Sequence, residues 1–314
     1  AKGSDLVIQM HFHPTGKPET ERSTVGIYFA DKAPERTLMV GDSPIDLETA
    51  EGQRFADCAA SVQRVLEDVR AVTMPVVVTA RPVTGEELPA YVARVRADPL
   101  WRGSNVTMPL KRQALDLADA ASDRAVAAGA ANLLLLREGQ LWAANTDVRA
   151  IVTLVERERS AGRRAASVTL FGTGGAARAA LVALKFLAID RVRIQARDMA
   201  AATRLSVEFG VELGPRPLTA LVDSDALINA TPLGMAGFDC LNCDLAMIPG
   251  DGFVFDMVSA PAETPLIAAA RARGLAVVTG LDMLVEQAAT SFKLMFGVDP
   301  PRDRDKDLWH RLRP

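Results

Sequence analysis

Along the chain, short apolar runs suited to buried strands alternate with longer stretches of helical period. Leu6 to Met10, Thr24 to Phe29 and Thr37 to Val40 read as strands, with a polar, proline-bearing loop from Pro14 to Ser23 after the first. Residues 47–71, rich in Ala, Leu, Val, Glu and Arg, predict a long amphipathic helix. Pro75 introduces Val76 to Ala80, a run suited to a buried parallel strand. Thr84-Gly85-Glu86-Glu87 has the form of a capping box ahead of a helix over Glu86 to Ala97. The next strand is expected to end near Thr107, where Pro109 opens a helix whose first turn carries Lys111. Leu133 to Leu136 and Leu141 to Ala144 flank the turn at Glu138-Gly139 and predict a hairpin, followed by a helix from Val148 to Arg157.

The second half has its clearest signal at Val168 to Arg178. A strand-like run, Val168 to Phe171, ends in Gly172-Thr173-Gly174-Gly175-Ala176-Ala177, and a helix-favouring segment continues to Leu187. A dinucleotide fold needs that order at its first strand-to-helix turn. Gly172 permits the tight turn, Gly174 lets backbone approach a pyrophosphate, and Ala177 keeps helix and strand close. The helix N-terminus supplies free N–H groups and partial positive charge. By itself this pattern also fits a glycine turn in another α/β protein. Arg191 to Ala196 reads as the second strand of such a unit, about 20 residues further on.

Composition narrows the class. The 314 residues suffice for two domains with full cores, and 49% hydrophobic with 24% charged residues is ordinary for a globular protein. A net charge of −3 gives no electrostatic footprint for nucleic acid or an anionic membrane. No apolar run is long enough to span a bilayer, and the N-terminus lacks the features of a secretory signal. The three cysteines fit a reducing cytoplasm. Cys240-Leu241-Asn242-Cys243 cannot complete a tetrahedral zinc site alone, and with His11, His13 and His310 scattered, no metal site is expected.

Three further stretches carry candidate chemistry: Asn105-Val106-Thr107-Met108-Pro109-Leu110-Lys111, Gly129-Ala130-Ala131-Asn132 and Asn145-Thr146-Asp147. Polar side chains at strand ends beside a lysine lie where open α/β sheets bind ligands. Taken singly, Lys111 also reads as a solvated lysine, and Asp147 as a cap for the helix that follows it.

Those stretches precede the glycine turn, and Asn229-Ala230-Thr231-Pro232-Leu233-Gly234-Met235, Phe255-Asp256-Met257-Val258 and Gly280-Leu281-Asp282-Met283-Leu284-Val285-Glu286-Gln287 follow it. In that order, over roughly residues 98–299, the series closely resembles the shikimate dehydrogenase family, including its quinate/shikimate branch. The resemblance implies an α/β fold of two domains. An N-terminal α/β substrate domain is expected over 1–148 and a Rossmann NAD(P)-binding domain over 149–282. A cleft is expected between them, with C-terminal helices from about 283 to 314 folding back onto the first domain. It implies reversible hydride transfer between nicotinamide and a ring secondary alcohol, with Lys111 as the catalytic lysine and Asp147 its partner. Asn105, Thr107, Asn132 and Gln287 match positions that meet the ring hydroxyls or line the pocket. Gly172, Thr173, Gly174, Gly175, Ala176, Arg197, Asp198, Thr231, Met257 and Gly280 match cofactor-side positions. The implied cofactor is NADP: Arg197 suits a 2′-phosphate, whereas Asp198 would favour a free ribose hydroxyl and so leaves NAD open. A small hydroxylated ring compound is the expected partner, and the protein is expected as a monomer or homodimer.

The chain also departs from the family. The Ser-x-Ser-Pro stretch whose hydroxyls hold the substrate carboxylate is missing. Gly41-Asp42-Ser43-Pro44-Ile45 matches only the neighbouring turn, and Asp46 to Thr49 supplies no serine pair. The tyrosine usual after Asp-Met-Val is Ser259, and glycines usual around Asn-Thr-Asp are Ala144 and Ala150. An acidic residue such as Asp42, Asp46 or Glu48 in place of the serines would disfavour a carboxylate ligand. Two alternatives to authentic shikimate or quinate oxidation follow: a related enzyme acting on a different hydroxylated ring compound, and a non-catalytic module that senses the dinucleotide.

Overall fold

The structure, a computed structural model, describes residues 4–7, 25–26, 39–40, 76–77, 79–80, 83–98, 101–214 and 222–305. The helix expected over 47–71, the Pro14–Ser23 loop, the 41–49 segment, Cys58 and all three histidines lie outside them.

The chain divides into two compact units. One comprises residues 1–122, 131–144 and 291–314; the other comprises 123–130 and 145–290. In the first, a mixed sheet runs β4-β1-β6-β8-β9-β7, where β1 is Ser4–Val7, β4 Val76–Val77, β6 Trp101–Asn105, β7 Ala120–Ala121, β8 Leu133–Arg137 and β9 Gln140–Ala144. A smaller antiparallel sheet joins β3 (Met39–Val40), β2 (Val25–Gly26) and β5 (Thr79–Ala80). The strand expected over Val76 to Ala80 is therefore two short strands: β4 pairs in parallel with β1, while β5 pairs with β2. β8 and β9 form the expected hairpin, in register from Leu133↔Ala144 to Arg137↔Gln140. Glu138 and Gly139 both take positive φ at its tip. Leu133, Leu135 and Ala144 form an apolar cluster onto which Leu294 and Met295 pack.

Helix α1, Leu88–Arg96, begins two residues after Glu86 because the capping pair occupies the turn before it. Thr84 N–H donates to Glu87 Oε2 (2.9 Å) and Glu87 N–H to Thr84 Oγ1 (3.3 Å). Helix α2, Lys111–Asp116, starts at Lys111 rather than Pro109, since Leu110 N–H first closes a turn onto Thr107 O at 2.9 Å.

The second unit is a fully parallel sheet, β12-β11-β10-β13-β14-β15, built from β10 (Ser167–Phe171), β11 (Arg191–Gln195), β12 (Glu212–Leu213), β13 (Ala226–Asn229), β14 (Phe253–Asp256) and β15 (Ala276–Val278). Counted within the unit, the order is 3-2-1-4-5-6, that of a doubly wound dinucleotide fold. Its central strands β10, β13 and β14 are buried throughout and largely apolar because both faces are covered, whereas β11 and β12 carry charged and exposed positions. Val168, Leu170, Ala226, Ile228, Phe253 and Phe255 face one core with α4 (Thr146–Ser160) and α5 (Gly175–Phe186). Phe171, Leu227 and Val254 face the other, with α7 (Pro265–Ala272). Ala177 is fully buried in the first core, the small residue that lets α5 lie against the sheet. Helices α3 (Asp123–Ala128) and α6 (Met199–Phe209) complete this unit. Helix α8, Gly280–Phe296, begins in it, and its residues from Ser291 group with the first unit.

Candidate active site

In the first unit, backbone hydrogen bonds gather four of the sequence-derived candidates at the C-terminal end of β6. Asn105 is the last residue of that strand and sits opposite Leu133 on β8. Val106 N–H donates to Asn132 O (2.8 Å), Asn132 N–H to Ala144 O (3.0 Å) and Ala131 N–H to Lys111 O (2.7 Å). Asn105, Thr107, Lys111 and Asn132 therefore hang on one connected piece of backbone. Asn132 is 3% exposed and Lys111 half-buried. Asn105 Oδ1 is buried without a hydrogen-bond partner, a costly state for an amide oxygen unless a ligand donor meets it.

Asn145 and Asp147 belong to the second unit. The cap of α4 is Asn145, not Asp147. Asn145 has the extended backbone an N-cap needs, and its Oδ1 accepts from Val148 N–H at 3.2 Å. Its Nδ2 donates to Ala130 O at 2.8 Å, anchoring the Gly129–Asn132 segment at one end. Asp147 lies 5% exposed in the first helical turn, where the N-terminal dipole favours a carboxylate.

The glycine turn follows β10 at the point where the strand order reverses. β10 and β13 lie side by side there, paired up to Phe171↔Asn229, and ligands of doubly wound sheets bind where the strand order reverses. Gly172 has φ +118°, and a Cβ on it would meet Ala230 O at 2.9 Å. Gly174 differs: it is the N-cap of α5, has φ −80°, is exposed, and a Cβ on it would meet nothing within 4 Å. The space a side chain there would fill is open, and Gly174 stands at the N-terminus of α5, whose first N–H groups have no partner within the helix. Thr173, Gly175 and Ala176 are half-buried beside it.

Arg197 is exposed just beyond β11. Asp198 is the N-cap of α6, its Oδ1 accepting from Ala201 N–H at 3.0 Å. Its carboxylate thus has a local structural task that the sequence reading did not assign. Gln287 lies half-buried on α8, and its Nε2 donates to Leu284 O within its own helix at 3.1 Å. Gly280 opens α8, and a Cβ there would sit 2.1 Å from Val258 O, so only glycine fits.

Two residues that were given no role from the sequence order the loops after β13 and β14. Asn229 and Asp256 end the otherwise apolar strands β13 and β14, and both are 0% exposed. Asn229 Nδ2 donates to Asp256 Oδ1 (2.9 Å) and Leu233 O (3.0 Å), while its Oδ1 accepts from Thr231 N–H (3.0 Å) and Thr231 Oγ1 (2.6 Å). Asp256 also accepts from Val258 N–H (3.1 Å) and Thr264 Oγ1 (2.6 Å). Burial pushes the Asp256 carboxyl above its usual range, against the lowering effect of Thr264, Val258 N–H and Asn229. The available signal was a single polar residue closing each apolar run.

Among the described residues no group of histidine, cysteine, aspartate or glutamate could hold a metal, and no helix is long and apolar enough to cross a membrane. The model of the shikimate dehydrogenase substrate binding domain matches residues 60–134, and that of the shikimate 5′-dehydrogenase C-terminal domain matches 280–307. The shikimate dehydrogenase (NADP(+)) of Sphingopyxis alaskensis is 42% identical over 228 residues, 72% of this chain and 82% of that protein. That of Nitrobacter winogradskyi is 39% identical over 204 residues, 64% of this chain and 73% of its own. The crystal structure of shikimate 5-dehydrogenase from Thermus thermophilus in complex with NADP(H) and shikimate superposes with a TM-score of 0.68 at 30% identity, covering 81% of this chain and 95% of that one. The strand order, the glycine turn and these relatives agree: the chain belongs to the shikimate dehydrogenase family and is an oxidoreductase of that family.

Proposed function

We propose that the protein is an NADP-dependent dehydrogenase that reversibly interconverts a ring secondary alcohol and its ketone, of the shikimate/3-dehydroshikimate type. The observation that carries the reading is the exposed Gly174 turn at the N-terminus of α5, set at the reversal point of a 3-2-1-4-5-6 sheet in a chain 42% identical to an NADP(+) shikimate dehydrogenase. In this reading residues 1–148 form the substrate-binding domain, residues 149–282 the nucleotide-binding domain, and the C-terminal helices return to the former. The residues at this turn suit a dinucleotide. Gly172 to Ala176 and the first turn of α5 would hold the pyrophosphate, and Arg197 a 2′-phosphate. Thr231, Met257 and Gly280 would border the nicotinamide. When bound, the nicotinamide supplies the hydride-accepting carbon.

The chain's own residues then orient the alcohol and move its proton. Lys111 and Asp147 act as the acid–base pair at the reacting hydroxyl, taking its proton as the carbinol hydrogen departs with its electron pair and returning it in the reverse direction. Asn105, Thr107, Asn132 and Gln287 bind the remaining hydroxyls. The unpartnered Asn105 Oδ1 supports a hydroxyl donor as its complement. Neutral polar groups of this kind select a polyol, since an analogue lacking a hydroxyl leaves them unpaired.

A second reading concerns the substrate alone. In the sequence, Asp42, Asp46 and Glu48 fall in the segment where the family carries its serine pair, and Ser259 replaces its tyrosine. These favour a non-carboxylated ring alcohol. The test is reduction of NADP, and separately of NAD, with shikimate, quinate and non-carboxylated ring alcohols. Ordinary efficiency on shikimate with NADP supports the first reading, activity confined to non-carboxylated alcohols the second. Dinucleotide binding without turnover across the panel would refute both in favour of a sensor.

A further inference from the structure

Among the described residues Asp256 has no cationic partner: its contacts are the three hydrogen bonds to Asn229 Nδ2, Val258 N–H and Thr264 Oγ1. A fully buried carboxylate so arranged is expensive, and β14 is otherwise apolar, so packing alone gives no reason for it. Its donors lead outward in three directions. Through Asn229 it fixes Thr231, whose backbone N–H and hydroxyl both bond Asn229 Oδ1 and whose Oγ1 accepts from Leu233 N–H at 3.1 Å. Through Val258 N–H it fixes the backbone after Met257, whose own N–H donates to Asn229 O at 3.0 Å. Gly280 rests its Cα against that same Val258–Ser259 backbone. Through Thr264 it holds the N-cap of α7, where Thr264 Oγ1 accepts from Ile267 N–H at 3.2 Å; a Cβ on Gly234 would meet the Thr264 side chain at 3.5 Å. One carboxylate thus sets the loops after β13 and β14 and, through Gly280, the start of α8.

We propose that Asp256 is a positioning residue for the nicotinamide end of the cofactor site: it registers Thr231, Met257 and Gly280 against one another without touching the reacting atoms. The inference rests on the functional reading above, because those three positions are assigned to the cofactor there. It also fixes what Asp256 must do chemically. Oδ1 has to accept from two N–H donors, whereas Oδ2 meets a hydroxyl that can reverse its role. An asparagine oriented with its oxygen at Oδ1 reproduces this set, with Thr264 Oγ1 accepting from Nδ2. An alanine removes the acceptor of one Asn229 Nδ2 proton, of Val258 N–H and of the Thr264 hydroxyl in the interior.

The experiment compares wild type, Asp256→Asn and Asp256→Ala in NADPH affinity, affinity for adenosine 2′,5′-bisphosphate (which lacks the nicotinamide half), kcat, and melting temperature. The expected result for Asp256→Ala is at least a tenfold loss in kcat and NADPH affinity, with adenosine 2′,5′-bisphosphate affinity within about threefold of wild type. Asp256→Asn is expected to recover most of both. Equal losses in the two variants at unchanged melting temperature would overturn the inference, because a proton-carrying carboxylate rather than a positioning one would then be at work. Parallel loss of both ligands in Asp256→Ala would also overturn it, as a general collapse of the sheet edge. Should Asp256→Ala not fold, Thr264→Val removes one donor and carries the same comparison. Wild-type protein that binds neither nucleotide would refute the functional reading itself, a result distinguishable from either variant outcome.

Discussion

Gly174 separates what the fold needs from what a ligand needs. Replacing it by alanine places a methyl group in open space, at a backbone φ of −80° that any residue adopts. Removing a glycine from the unfolded chain stabilises by about 0.4–1 kcal/mol. Alanine is a poorer N-cap than glycine by a similar amount, on the order of 0.5–1 kcal/mol, so the two effects nearly cancel. The melting temperature should therefore stay within about 3 °C of wild type. A pyrophosphate approaching the N–H groups of α5 would meet the methyl and lose its close contact. Losing one to two charge-assisted hydrogen bonds at about 1.5–3 kcal/mol each weakens NADP by roughly 10- to 10⁴-fold. Isothermal titration with NADP, beside thermal melts, reads both quantities. Gly172→Ala is the contrasting control: at φ +118° and 2.9 Å from Ala230 O, the added methyl should destabilise the fold by about 1–3 kcal/mol. Unchanged NADP affinity in a well-folded Gly174→Ala would refute the assignment of this turn to the pyrophosphate.

Three further outcomes follow from named contacts. Asp198→Thr keeps an oxygen to cap α6 and removes a negative charge beside Arg197. The ratio of kcat/KM for NADP over NAD should rise about fivefold, from roughly 1 kcal/mol of relieved repulsion in water at several ångströms; an unchanged ratio means that the carboxylate does not face the phosphate. Arg178 donates from Nε to Ala128 O at 2.5 Å, forks onto the Glu208 carboxylate and lies 5.3 Å from the centre of the Phe209 ring, joining α3, α5 and α6. Arg178→Ala should cost about 2 kcal/mol, or roughly 4–8 °C in melting temperature, and Arg178→Lys should not restore it, because an ammonium cannot make the fork; a full rescue by lysine would count against the clamp. Burial, with help from Asp244 and Asp256, pushes the Cys243 thiol up to about 11 from 9.0. The folded state therefore favours the neutral thiol, and that contribution, up to ~3 kcal/mol, is present below pH 9 and lost as pH rises towards 11. At pH 8 a limiting alkylating agent should modify exposed Cys240 well before Cys243, and position-resolved mass spectrometry showing equal rates would contradict this.

What the sequence made legible was local and periodic. The run Val168–Phe171 and its glycine turn announced themselves because strand, turn and helix are each encoded over a few adjacent residues. The capping pair Thr84–Glu87 and the hairpin at Glu138-Gly139 were visible for the same reason. Harder were choices between near-equivalent neighbours. Asn145 and Asp147 are both good capping residues, and only the extended backbone at Asn145 decides which one caps. Pro109 is an acceptable first helical residue, yet the bond from Leu110 to Thr107 delays the helix to Lys111. Least legible was the pairing of distant residues. Nothing adjacent to Asn229 indicates that its amide meets Asp256, 27 residues away, because that contact arises only when β13 and β14 lie side by side. The Val76–Ala80 run split for a related reason: its two halves pair with different strands.

The most direct test of the account is Lys111→Ala, followed by stopped-flow reduction of NADP with the best alcohol of the panel and by NADP titration. A positioned acid–base group contributes about 10²–10⁴ in rate. The variant is expected to bind NADP as wild type does and to lose at least a hundredfold in the hydride-transfer rate, with partial recovery at high pH, where solvent takes the hydroxyl proton more readily. Hydride transfer at the wild-type rate in a variant with intact NADP binding would contradict it.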